Sequence, residues 1–147
     1  MPENPIFATQ NNFKVVIDDI TDDNEYFYSV EGLSIQYSTR VYNPGGDNII
    51  VNVTTDKDTV PLIFKRPLSD ITLGMSKWCI KALEMNEFEP ADVNIFIFGR
   101  NDSIVNHWIA EQAYPIGMKI SSLNVLANDP CIIEILTLTY SNLKRIK

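Results

Sequence analysis

One segment of this chain carries helical period and no other does, which limits the architectures open to it. Ile71, Met75, Trp78, Cys79, Ala82 and Leu83 stand at i, i+4, i+7, i+8, i+11 and i+12. That spacing lays one apolar stripe along a helix of about four turns. The helix is expected over about residues 69–85. Ser69 can cap its N-terminus, Asp70 adds a favourable charge to the first turn, and Pro90 follows its end. Gly74 falls on the same stripe and weakens the helix by about 1 kcal/mol relative to Ala.

Elsewhere the period is two. Phe13, Val15 and Ile17 alternate with Lys14, Val16 and Asp18, and Val93, Ile95 and Ile97 alternate with Asn94, Phe96 and Phe98. Leu62-Ile63-Phe64-Lys65 is a further strand. Tyr26 to Tyr37 is strand-like but broken at Glu31-Gly32, a position for a bulge or sharp bend. Ile104 to Ala113, Ile116 to Leu126 and Cys131 to Tyr140 also read as strands. The last has Ile133 and Ile135 on one face and Ile132, Leu136, Leu138 and Tyr140 on the other, so it needs cover on both sides. Asn43-Pro44-Gly45-Gly46-Asp47-Asn48 is the strongest turn signal. It opens a polar stretch to Thr59, relieved by Ile49-Ile50-Val51, which reads as a long loop or extended hairpin. The expected fold is mainly β: an antiparallel barrel or sandwich with one flanking helix. The 147 residues fit a single domain, with residues 1–11 as a flexible or extended N-terminal arm.

Charge and inventory narrow the function. With 12 basic and 19 acidic side chains the formal net charge is −7, which suits neither phosphate backbones nor anionic lipid. Met1-Pro2-Glu3-Asn4-Pro5 has no basic or apolar leader character, and no apolar run reaches the roughly 18 residues of a membrane span. A cytoplasmic protein without a membrane anchor is expected. Cys79 and Cys131 are far apart and read as reduced core thiols. His107 is the only histidine, and no nucleophile motif adjoins it. One His and two scattered Cys cannot supply the usual zinc spacing. The acidic run Asp18 to Asn24 lacks the central Gly and terminal Glu of a calcium loop and reads as a solvated turn. Gly45-Gly46 has no phosphate-binding motif around it. No cofactor, metal or catalytic residue is expected. Trp78 reads as core, and Trp108 as core or interface.

Four ordered blocks resemble the tail-tube proteins of contractile phages and phage-derived extracellular injection systems. The first is Phe13-Lys14-Val15-Val16-Ile17. The second is Phe27-Tyr28-Ser29-Val30-Glu31-Gly32-Leu33-Ser34-Ile35-Gln36-Tyr37, similar to the family's F-x-S-V-x-G-L. The third is Leu62-Ile63-Phe64-Lys65-Arg66-Pro67-Leu68 with Trp78 downstream. The fourth is Trp108 to Pro115, with Ala113 in place, followed by Leu123-Asn124 and Glu134-Ile135-Leu136-Thr137-Leu138. Pro67, Gln112 and Val125 depart from the family's usual Gly, Asn and Ala.

The resemblance implies a non-enzymatic subunit of hexameric rings that stack into a hollow inner tube. A contracting sheath would drive the tube through a target envelope. The partners implied are further copies of the chain, sheath subunits, baseplate and spike proteins, and protein cargo in the lumen. Gly32, Leu33, Lys65, Arg66, Trp78, Trp108, Ala113, Pro115 and Glu134 are the family-motif residues, with structural roles expected. Asn43, Pro44, Gly45, Gly46, Asp47, Asn48, Ile49, Ile50 and Val51 are the candidate subunit or ring interface. A tube-initiating paralogue at the spike and baseplate fits the same residues. More remote readings are a small β-sandwich ligand-binding module or a hydrolase. The first calls for an exposed aromatic platform and the second for paired carboxylates.

Overall fold

The computed structural model describes residues 4–21, 27–42, 45, 51–70, 72–128 and 131–147, with backbone alone at 40, 42 and 51–56. In chain order the elements are β1 (Ala8–Ile17), β2 (Ser29–Glu31), β3 (Tyr37–Tyr42), β4 (Val51–Lys57), β5 (Leu62–Pro67), α1 (Gly74–Met85), β6 (Ala91–Gly99), β7 (Ile104–Ile120), β8 (Ile133–Thr139) and β9 (Asn142–Arg145). The mainly β class with one helix is as the sequence patterning predicts.

One strand organises the sheet. The first part of β7 pairs antiparallel with β6 on one edge (Ala91↔Ala113, Ile95↔Trp108) and with β9 on the other (Trp108↔Arg145, Glu111↔Asn142). Its second part pairs with β8, from Tyr114↔Thr139 to Ile120↔Glu134. β6 carries β1 at its far edge, β8 carries β5, and β5 carries β2. The path is therefore β1-β6-β7-β8-β5-β2, open between its two ends, with β3-β4 as a separate two-stranded ribbon.

Both halves of this bent sheet face one core. Val15, Ile17, Val93 and Ile95 come from one half, and Leu62, Phe64, Leu136 and Leu138 from the other. Met75, Trp78 and Cys79 of α1 complete the cluster. The alternation read in the sequence holds along β8: Leu136, Leu138 and Tyr140 are buried, while Ile133 and Ile135 are half-buried on the opposite face.

Several boundaries move, for identifiable reasons. The helix begins at Gly74 with Leu73 as its cap residue, not at Ser69, and its first turn has no acidic residue. Leu68 N–H still donates to Ile132 O at 2.8 Å, so the sheet ladder holds the chain beyond Pro67. Ser69 faces Asp70 instead of capping the helix. Gly74 opens the helix, where its interior cost does not apply. The C-terminus falls as expected, with Asn86 left-handed at φ 56° and Glu87 N–H donating to Lys81 O. β1 begins at Ala8, so residues 8–11 of the expected arm are strand. Among the described residues of Tyr26–Tyr37 only the three of β2 and Tyr37, which opens β3, are strand, and Tyr26 lies outside the described residues. Ile104–Ala113 and Ile116–Leu126 are not two strands. They merge into β7, which stops at Ile120, and a loop follows. Cys131 is exposed, unlike Cys79, and so is no core thiol.

Candidate assembly surfaces

The family-motif residues lie mostly inside the body, where strand parity sends them. Along β5, Leu62, Phe64 and Arg66 all point inward and are buried. An inward arginine must meet an acid, and Glu134 stands opposite it in register. Arg66 Nε–H donates to Glu134 Oε2 at 3.2 Å, with the two side chains 4% and 12% exposed. Arg66 Nη2–H also donates to Ser76 Oγ, and that hydroxyl lies 3.1 Å from both carboxylate oxygens of Glu134. The guanidinium sits 5.1 Å from the Phe27 ring centroid, and Phe27 meets Phe64 edge-on. One polar knot thus ties β5, β8 and α1. Sequence reasoning named Arg66 and Glu134 but missed the contact and Ser76. The parity of Arg66 with Leu62 and Phe64 was the available signal.

The other motif residues also serve packing. Gly32 has φ 102°, and a Cβ there would come within 2.2 Å of Pro61 O, so no other residue fits. Leu33 and Trp108 pack against the core from its margin. Trp78 is buried and its Nε1–H donates to Glu89 O at 2.8 Å. Ala113 is fully buried, and Pro115 is among the fully buried side chains. Lys65 lies on the outer face and pairs with Glu31 at 3.3 Å.

The bend of β7 has its own device. Gln112 is left-handed at φ 52° and its N–H donates to Asp92 Oδ1 at 3.0 Å. Beside it Glu111 O accepts from Ser141 N and Ser141 Oγ, and the Glu111 carboxylate meets Asn142 Nδ2 and Lys144 Nζ. The Lys144 contact holds the Glu111 carboxyl below its ordinary range, with Asn142 adding to the effect. Pro115 lacks an N–H, and among the described residues β7 beyond Tyr114 pairs only with β8.

Of the candidate interface residues, the structure describes two. Gly45 is exposed, and Val51 begins β4. Asn43, Pro44, Gly46, Asp47, Asn48, Ile49 and Ile50 lie outside the described residues. Their two flanks form an antiparallel ribbon, Tyr42↔Val51 through Tyr37↔Lys57, so the hairpin alternative is the one realised. Among the described residues β3 and β4 pair only with each other. Tyr37 and Val41 are 52% and 64% exposed.

Elsewhere little gathers. His107 stacks on Phe96 at 4.3 Å, and its Nε2 is 3.1 Å from Asn94 Oδ1. Among the described residues no group of three His, Cys, Asp or Glu could hold a metal, and no helix is long and apolar enough to cross a membrane. Leu123, Val125 and Leu126 stand 72%, 101% and 88% exposed on the β7–β8 loop.

The model of the T4-like virus tail tube protein gp19 family matches residues 9–144. The chain belongs to that family. It is a structural family of tube proteins, and the match spans every strand bar the edges of β1 and β9. No curated protein matches the chain significantly by sequence. Solved structures share the fold at low identity. A chain of the anti-feeding prophage (AFP) baseplate gives a TM-score of 0.83 at 18% identity, covering 99% of this chain and 97% of that one. A chain of the PVC sheath/tube terminator in its extended state, from an extracellular contractile injection system, gives 0.79 at 21%, covering 99% of each. A chain of the extended PVC sheath-tube complex gives 0.77 at 22%, covering 97% and 92%.

Proposed function

We propose that this tail tube family member is a subunit of the inner tube of a contractile injection apparatus or phage tail. In this reading six copies close into a ring, and rings stack into a hollow tube that a surrounding sheath drives through a target envelope. The observation that carries the reading is the family match across residues 9–144. The molecule suits the task physically. Strand edges that are unpaired among the described residues, on β1, β2 and the second part of β7, are liabilities on a lone subunit, but they extend a sheet when copies add edge to edge. A head-to-tail contact that closes makes a ring.

Assembly in the cytoplasm, with sheath, baseplate and spike as partners, belongs to the same proposal. The Asn43–Val51 tip contacts a neighbouring copy, since the ribbon that carries it pairs with nothing of its own body among the described residues. The motif residues contribute by holding the body in shape. The formal net charge of −7 per copy would let acidic protein cargo pass without adhering. The likeness to a baseplate chain favours a second reading, a copy that joins the spike to the first ring.

Negative-stain electron microscopy and mass photometry of the purified protein, alone and with its own spike complex, test the reading. Rings of six or stacked hollow tubes are expected. A protein that stays monomeric even with its spike complex overturns it. A single ring that will not stack decides for the joining role.

A further inference from the structure

Resting on the tube reading, we propose that the open seam between β1 and β2 is the receiving site for the β3–β4 ribbon of a second copy. Two independent features of the chain call for the same contact. The first is the seam. The strand path ends in β1 and β2, and both ends line a single cleft of about 780 Å³. Phe13, Val30, Leu33, Ile95 and Ile97 give it an apolar lining. Ser29 also lines it, and Ser29 Oγ is buried with no hydrogen-bond partner among the described residues. A buried hydroxyl without a partner is uncommon and calls for an explanation. Beside it β1 and β2 each have one edge without a paired strand, again among the described residues. A partly apolar cleft between two strand edges can take extended backbone as an added strand.

The second feature is the ribbon. Two strands alone are at best marginally stable in water and need a further strand or a packed face. Here the base is fixed: Asp58 N–H donates to Gln36 O at 2.9 Å, Ser38 Oγ–H to Asp58 Oδ1 at 2.5 Å, and Lys57 Nζ–H to Asn142 Oδ1 at 3.2 Å. Beyond that base Tyr37, Thr39 and Val41 share one face by strand alternation and are all exposed. Among the described residues the ribbon offers two unpaired edges and a face with apolar groups, and the seam offers two unpaired edges and a partly apolar lining. The ribbon and the seam are different surfaces of one chain, so the contact is heterologous and propagates from copy to copy.

The test uses two full-length single-site variants, each carrying Cys131→Ser so that its exposed native thiol is removed. One adds Gln10→Cys on the β1 wall of the cleft, and the other adds Val41→Cys on the ribbon. The variants are mixed, assembled with the spike complex and oxidised. A disulfide between Gln10→Cys and Val41→Cys can then form only between copies. Covalent dimer at least about tenfold above either variant alone is expected, since seating raises the effective concentration of the pair. A companion variant, Tyr37→Asp with Val41→Asp, changes only exposed ribbon positions. It is expected to keep the melting temperature of the monomer and to lose tubes. Tubes that form without the mixed disulfide, or that form from the double Asp variant, overturn the seam proposal and leave the tube reading intact. Wild-type protein that forms no tube with its spike complex overturns both.

Discussion

The polar knot in the body and the ribbon at its margin make opposite use of their hydrogen-bonding groups. Around Arg66, Glu134 and Ser76 every strand has neighbours, and the buried charges answer each other within 3.2 Å. At β3–β4 the pairing among the described residues stops after two strands, and Tyr37 and Val41 are exposed. The difference teaches where selection for shape and selection for contact fall in such a chain. Most of the family-motif residues lie in the body, and Arg66 and Glu134 form the knot itself. In the second region, among the described residues, the two strands pair only with each other.

Removing one member of the knot should break the comparison most severely. Arg66→Met leaves the Glu134 carboxylate buried without its cation, an expected loss of about 3–5 kcal/mol in denaturant unfolding. The double variant Arg66→Met with Glu134→Leu should recover most of that loss, because no unpaired charge is then buried. A double variant no more stable than Arg66→Met would show that the knot is not acting as a pair. Next comes Gly32→Ala, which puts a methyl into Pro61 O at a left-handed φ. Thermal unfolding should report a loss of about 1–3 kcal/mol.

Smaller effects sharpen the contrast. Tyr140→Phe removes a hydroxyl that donates to Val60 O at 2.8 Å, with an expected cost of about 1 kcal/mol. Burial raises the Tyr140 pKa. Its contribution is therefore present below the ordinary tyrosine range and is lost as pH rises through the folded value. In the phenylalanine variant the alkaline limb of the stability profile should be shallower. Val41→Ser on the ribbon should move monomer stability by no more than about 0.5 kcal/mol while reducing tube yield in electron micrographs. The smallest effect belongs to the sheet corner. The Glu111 pKa is lowered chiefly by Lys144, so that contact stabilises above the ordinary carboxylate pKa and is lost as pH falls through the depressed one. Glu111→Gln should flatten the acid limb slightly, and added salt should mimic it.

Legibility followed the range of the interactions. Alternation along β5, β6 and β8 and the apolar stripe of α1 are local properties, and their buried faces could be read directly. The same parity placed Arg66 among inward residues, so a buried ion pair was legible in principle. That its partners are Glu134 and Ser76 was not, because β5 meets β8 and α1 only after folding. Long-range register also explains the boundaries that moved. Leu68 is held by Ile132, which delays the helix, and Gln112 bends one strand where the sequence shows two.

The sequence by itself determined the mainly β class, the single helix with its C-terminal stop, the inward faces of most strands and the tail tube resemblance. The first three follow from period, turn chemistry and composition, which act over a few residues, and the resemblance rests on four ordered sequence blocks. Tertiary structure alone decided that β7 serves both halves of the sheet and that β9 exists. It also decided that, among the described residues, the sheet stays open between β1 and β2 and the ribbon strands pair only with each other. Those outcomes depend on which backbone edges find each other across the chain, and a strand's own residues carry almost no record of the neighbour at its edge.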